Sequence, residues 1–79
     1  MTMKINNPIV NYVENLTDEE LKVCCKELLE LHDTTILPSS GKVREFMNLI
    51  TEEVGNSAYS LSVAESTINK EVLKRYSKQ

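Results

Sequence analysis

The residues of this chain that could do chemistry are two cysteines, one histidine and a cluster of glutamates, and in each case the spacing argues against a site. Cys24 and Cys25 are adjacent. Neighbours on a helix cannot easily close a disulfide, and there is no second cysteine pair to complete a zinc site. A reactive thiol needs a nearby cation or helix start to lower its pKa, whereas the residues before these cysteines are acidic, so they read as small core hydrophobes of a reducing compartment. His32 is the sole histidine; it falls in the last turn of a helical pattern with no partner close in sequence, which is more often structural than catalytic. Glu19, Glu20, Glu27 and Glu30 share no metal-loop spacing with a turn glycine and read as a solvated face. No phosphate loop, nucleophile elbow or dinucleotide fingerprint is present. In 79 residues, with little room for a cleft beside a core, no set of acid, base and nucleophile can be assembled. The expectation is a non-enzymatic protein without cofactor or metal.

The second chemical feature is a basic cluster, Lys70, Lys74, Arg75 and Lys78. Net charge runs from −4 over residues 1–33 through −2 over 34–66 to +3 over 67–79. The cluster has two readings. It can complement a helix dipole and the acidic second helix, or it can contact nucleic-acid phosphate. The overall charge of −3 opposes approach to nucleic acid and favours the first. The VAESTI segment within residues 62–75 has a helix-turn-helix flavour, but it lacks a turn glycine and fits one continuous helix equally well.

Four helices must position these groups. The clearest is LTDEELKVCCKELLELH, from Leu16 to His32. Thr17 and Glu20 have capping-box spacing, with Leu16 and Leu21 placed to close over the first turn as a hydrophobic staple. Asp18, Glu19 and Glu20 lie where the helix dipole is positive. Leu21, Cys24, Cys25, Leu28, Leu29 and His32 then form one stripe, with Lys22, Lys26, Glu27 and Glu30 off it. Before this helix, Asn7 and Pro8 read as N-cap and first residue of a short helix ending near Asn15, with Ile9, Tyr12, Val13 and Leu16 on one face. That face is expected to lie against the Leu21–His32 helix, with residues 1–6 frayed.

After His32 the pattern stops, and Asp33, Thr34, Thr35, Pro38, Ser39, Ser40 and Gly41 make a loop. Ile36 and Leu37 are apolar where a loop is usually polar; they either plug the end of the core or form a partner-binding surface. A third helix is predicted from about Ser40 to Val54, on a stripe of Val43, Phe46, Met47, Ile50 and Val54. Gly55 supplies a left-handed C-terminal cap. Phe46 is the only phenylalanine of a chain without tryptophan and is placed at the centre of the core, while Glu52 and Glu53 should face water or a basic neighbour. A fourth helix starts near Ser60, with Leu61, Ala64, Ile68, Val72 and Tyr76 as its stripe and residues 76–79 as a frayed tail.

The chain is thus expected to be one all-α domain, three main helices plus a short N-terminal one. Its composition, 41% hydrophobic and 27% charged, is that of globular and not disordered protein. Without a run of about 18 apolar residues, and with Asn6, Asn7 and Pro8 breaking the first apolar cluster, no membrane insertion is expected and the location read is cytoplasmic.

The run LTDEELKVCCKELLELHDTTIL, followed by GKVREFMNLITEEV, the turn at Tyr59-Ser60 and AESTINKEVLKR, resembles the small cytoplasmic accessory proteins of T4-like phages, in particular their rapid-lysis antiholins. The resemblance spans about Asn7 to Arg75. It implies a non-enzymatic role in lysis inhibition: binding the cytoplasmic N-terminal segment of the phage holin and delaying pore formation. The residues themselves suggest where a partner would sit, at the apolar positions Ile36, Leu37 and Tyr59. Self-association is a further expectation, because so small a core gains from a partner. The alternative is a nucleic-acid-binding or transcription-regulating protein using Lys70, Lys74, Arg75 and Lys78.

Overall fold

The computed structural model describes residues 7–78, which form four α-helices and no strand: α1 (Pro8–Glu14), α2 (Asp18–Thr34), α3 (Lys42–Val54) and α4 (Ser60–Ser77). The frayed start expected for residues 1–6, and Gln79 of the expected tail, lie outside the described residues. Tyr76 and Ser77 are still helical.

Local chemistry sets most of the boundaries. The Asn7 side chain accepts from the amides of Ile9 and Val10, and Pro8 takes the first helical position, where its missing N–H costs nothing. The capping box at α2 is complete. The Glu20 amide donates to Thr17 Oγ1 at 3.1 Å and the Thr17 amide to Glu20 Oε1 at 2.9 Å; a cap such as Thr17 stabilises a helix by about 1 kcal/mol. Leu16 and Leu21 are both buried, as a staple requires. The helix runs two residues beyond His32 and stops at Thr35, which adopts the left-handed conformation (φ 56°) that a helix end demands.

The core gathers Val13 and Leu16, Leu21, Cys24 and Leu28 from α2, Val43, Phe46, Met47 and Ile50 from α3, and Ala64 and Ile68 from α4. Phe46 is wholly buried at its centre, and the Tyr12 ring stacks on it with centroids 4.7 Å apart and planes 7° from parallel. α2 and α4 run antiparallel: His32 Nε2 is 3.2 Å from Glu65 Oε1 at one end, and Arg75 Nη1 is 2.9 Å from Asp18 Oδ1 at the other.

Several expectations need correction. α1 does not lie on α2; it packs across α3 and α4. The short link to α2 turns the chain, and Arg75 of α4 then binds the carbonyls at the end of α1, so the helix follows α4. Four stripe residues, Leu29, His32, Val54 and Tyr76, are exposed instead of buried. The neighbours of each helix cover only part of its circumference, and these positions lie past the edge of that arc. The buried row of α4 is Ser60, Ala64, Ile68 and Glu71: Ala64 and Ile68 of the expected stripe are in it, while Leu61 and Val72 are only partly buried beside it. Ile36 and Leu37 do not plug the core, since Ile36 is 71% exposed and Leu37 is exposed beside it. Glu27 is not on a solvated face: it is half-buried and caps α3. That helix begins at Lys42, two residues later than Ser40, because Gly41 offers no capping side chain and Glu27 supplies the acceptors.

Candidate interaction surface

The loop between α2 and α3 is built by threonine hydroxyls. Thr34 Oγ1 donates to the Glu30 carbonyl at 2.9 Å and accepts from the Ile36 amide at 3.2 Å, which holds the loop open just where Ile36 and Leu37 follow. At the other side of α3, the side-chain oxygen of Asn56 accepts from the Ala58 amide at 2.7 Å, and the Ser60 hydroxyl donates to the Ser57 carbonyl at 3.0 Å. These two bonds close the turn that presents Tyr59, 72% exposed, at the start of α4.

Leu37 lines a cleft of about 320 Å³ whose walls include Arg44, Met47, Thr51, Ser57 and Ser60. The tertiary structure therefore brings Leu37 and the turn carrying Tyr59 to one concavity, although 22 residues separate them in sequence. Ile36 stands beside it in the same loop. Leu37 and Met47 give the cleft its apolar lining and Arg44, Asn48, Thr51 and the two serines its polar one, which suits a partner segment with apolar side chains and a polar edge.

A second concavity, an open groove of about 640 Å³, lies between α1 and α3 and is lined by Tyr12, Leu16, Glu20, Lys42, Glu45 and Leu49 among others. Burial and then the Glu45 carboxylate push the Tyr12 phenol up to about 12, so it stays a neutral donor, and its hydroxyl reaches the Lys42 carbonyl at 3.4 Å. Glu20 is held below the usual carboxylate range by the Thr17 amide first and by Lys42 second.

The four basic residues separate into two groups. Lys70 and Lys78 are exposed. Lys74 is bonded to Glu14 at 3.0 Å and to Glu71 at 3.2 Å, which raises its pKa. Arg75 is consumed entirely inside the molecule. Its Nε donates to Glu71 at 2.7 Å, Nη1 to Asp18 at 2.9 Å, and Nη2 to the carbonyls of Val13 at 3.0 Å and Leu16 at 2.7 Å. These bonds match the dipole-complementing and intramolecular reading of the cluster and leave little of it for phosphate. α4 is also continuous through the VAESTI segment, with no helix-turn-helix break.

Glu71 is the residue that sequence reasoning missed: a carboxylate whose side chain is only 7% exposed, placed between Lys74 and Arg75. The one available signal was its spacing of three and four from those residues. Burial alone would raise its pKa, but the hydrogen bonds from Arg75 and Lys74 outweigh burial and hold it below the ordinary value.

The chemistry candidates fall as follows. Cys24 is fully buried, and burial pushes its thiol up to about 11, so it stays protonated at neutral pH. Cys25 is half-buried, and both thiols are free. His32, expected without a partner, faces Glu65 across the α2–α4 contact. Among the described residues no group of three His, Cys, Asp or Glu could hold a metal ion, and no helix is long and apolar enough to cross a membrane. No protein-family model matches the chain, and neither a characterised protein nor a solved structure does.

Proposed function

We propose that this chain is a non-enzymatic regulatory binding protein of phage origin, an antiholin that works in the host cytoplasm by engaging the cytoplasmic segment of a holin. The sequence resemblance motivates the partner. The observation that carries the binding role is the exposure of Ile36, Leu37 and Tyr59, with Leu37 lining the cleft over α3 and the turn that carries Tyr59 bordering it through Ser57 and Ser60. Burying such side chains against a partner contributes about 25 cal/mol per Å², and a holin segment held there is withheld from assembly by competition for its contact face.

The test is an amide NMR titration with the soluble cytoplasmic segment of a T4-type holin, run beside a short DNA duplex. Saturable shifts around Leu37, Met47 and Tyr59 that survive moderate salt are expected with the holin segment. Leu37→Asp should weaken binding about tenfold or more while the helical circular dichroism stays unchanged; equal affinity in the folded variant removes the loop from the proposal. Silence toward the holin segment, with salt-sensitive shifts at Lys70 and Lys78 on DNA, would replace it with the nucleic-acid reading.

A further inference from the structure

A second surface, separate from that cleft, runs along the outside of the antiparallel α2–α4 pair. Two shallow hollows meet there at Cys25: one is bordered by Lys22, Val72 and Tyr76, the other by Leu29, Glu65 and Asn69. Together they make one seam. Leu29 and Tyr76, 66% and 74% exposed, stand along it with the half-buried Cys25 and Val72 between them. Both hollows are lined by residues of α2 and α4 alone, with none from α1 or α3.

The charge along this face says what fits. From the start of α2 to its midpoint and at the finish of α4, the exposed cations are Lys22, Lys26 and Lys78. Asp18 at the start of α2 is bonded to Arg75 at 2.9 Å, and the exposed Glu19 has only a 3.7 Å contact with Lys22, a surface pair weak enough for Lys22 to exchange it for another carboxylate. Toward the opposite end the charges are acidic: Glu30 and Asp33 of α2 are exposed, and Glu65 of α4 faces His32 at 3.2 Å. A uniformly basic or acidic helix would meet repulsion at one end or the other. A second copy turned end for end meets opposite charge at both, with the apolar residues opposed in the middle. That self-complementarity is what a two-fold interface requires, since each patch must satisfy itself.

We propose that the α2–α4 face docks on the same face of a second copy of this chain, antiparallel about a two-fold axis, with Leu29 and Tyr76 as the apolar contacts and Lys22 and Lys26 meeting Glu30 and Asp33 of the partner copy. The 17 residues of α2 span about 25 Å at 1.5 Å per residue, which makes the interface small and the dimer weak, formed at tens to hundreds of micromolar. The proposal stands independently of any holin.

Sedimentation equilibrium across that concentration range tests it. The wild type is expected to shift from monomer to dimer, and Leu29→Asp to raise the dissociation constant about tenfold or more with circular dichroism unchanged. A charge exchange tests the geometry. The double variant K22E/K26E makes both ends acidic and E30K/D33K makes both ends basic, so each alone should be monomeric and an equimolar mixture should dimerise. A wild type that stays monomeric at millimolar concentration overturns the proposal, as does a dimer insensitive to Leu29→Asp. A mixture that fails to associate while both variants are folded overturns the antiparallel arrangement.

Discussion

Replacing Arg75 by alanine is expected to destabilise the fold by roughly 2–3 kcal/mol, somewhat less than the ~3–5 kcal/mol for breaking a fully buried pair because the Arg75 side chain is 22% exposed. The loss has two sources. Glu71 is left in the interior with only Lys74 beside it, and the carbonyls of Val13 and Leu16 lose the guanidinium that ties the end of α1 to α4. Chains of this length have a total stability of roughly 4–12 kcal/mol, so the variant should show a clearly lower urea midpoint by circular dichroism. Arg75→Lys should not restore it, because an ammonium lacks the planar fork that reaches Glu71, Asp18 and two carbonyls at once. A variant as stable as wild type would show that these bonds do not hold α1 in place.

The same cluster gives the fold an acid limit of known sign. Glu71 titrates below 4.5 in the folded protein, so it binds fewer protons there than in the unfolded chain. Its contribution is fully present above pH 4.5 and is lost as pH falls through the folded value. Glu20 adds to this in the same direction. Glu71→Gln should therefore be less stable than wild type at neutral pH, with the difference shrinking in acid. A constant gap between the two would mean that Glu71 is not bound as a carboxylate.

The second large effect is expected at Gly41. Its φ of 111° with ψ of 179° is a conformation that side chains rarely adopt, and a Cβ there would sit 2.6 Å from Glu27 Oε2. That oxygen accepts from the Lys42 amide at 3.3 Å while Oε1 accepts from Val43 at 2.8 Å, so moving the carboxylate aside uncaps α3. Backbone strain of roughly 1–3 kcal/mol and a lost cap of about 1 kcal/mol predict that Gly41→Ala costs roughly 2–4 kcal/mol. Glu27→Ala should be non-additive with it: once the carboxylate is gone, the alanine costs only the backbone strain. Thermal unfolding of the two single variants and the double one measures this coupling. Strictly additive losses would separate the glycine from the cap.

The helices were legible because their determinants are local. Asn7-Pro8, the Thr17/Glu20 box, Gly55 and the spacing of Val43, Phe46, Met47 and Ile50 act within a turn or two of chain, and α1 to α4 follow them closely. The candidate surface was legible in part, since apolar residues in loops announce themselves as unusual, but that Leu37 and the turn carrying Tyr59 border one cleft is a long-range fact. Glu27 and Glu71 were misread or missed for one reason. A carboxylate has the same local preference whether it faces water or the interior: Glu27 meets the Lys42 amide 15 residues away, and Glu71 pairs with Lys74 and Arg75 on its own helix, in a cluster that Arg75 ties to the Val13 carbonyl 62 residues away.

By itself, then, the sequence determined an all-α chain, where its helices begin and end, and that Phe46 lies at the centre. The tertiary structure decided that α1 lies across α3 and α4 instead of α2, that Lys74 and Arg75 at the basic end of α4 are spent on internal bonds, and which apolar residues stay in water. Helix formation depends on hydrogen bonds and side chains three and four residues apart, which periodicity records. Which helix covers which face depends on how short links turn the chain and on single charged side chains that span it, and no local pattern encodes those.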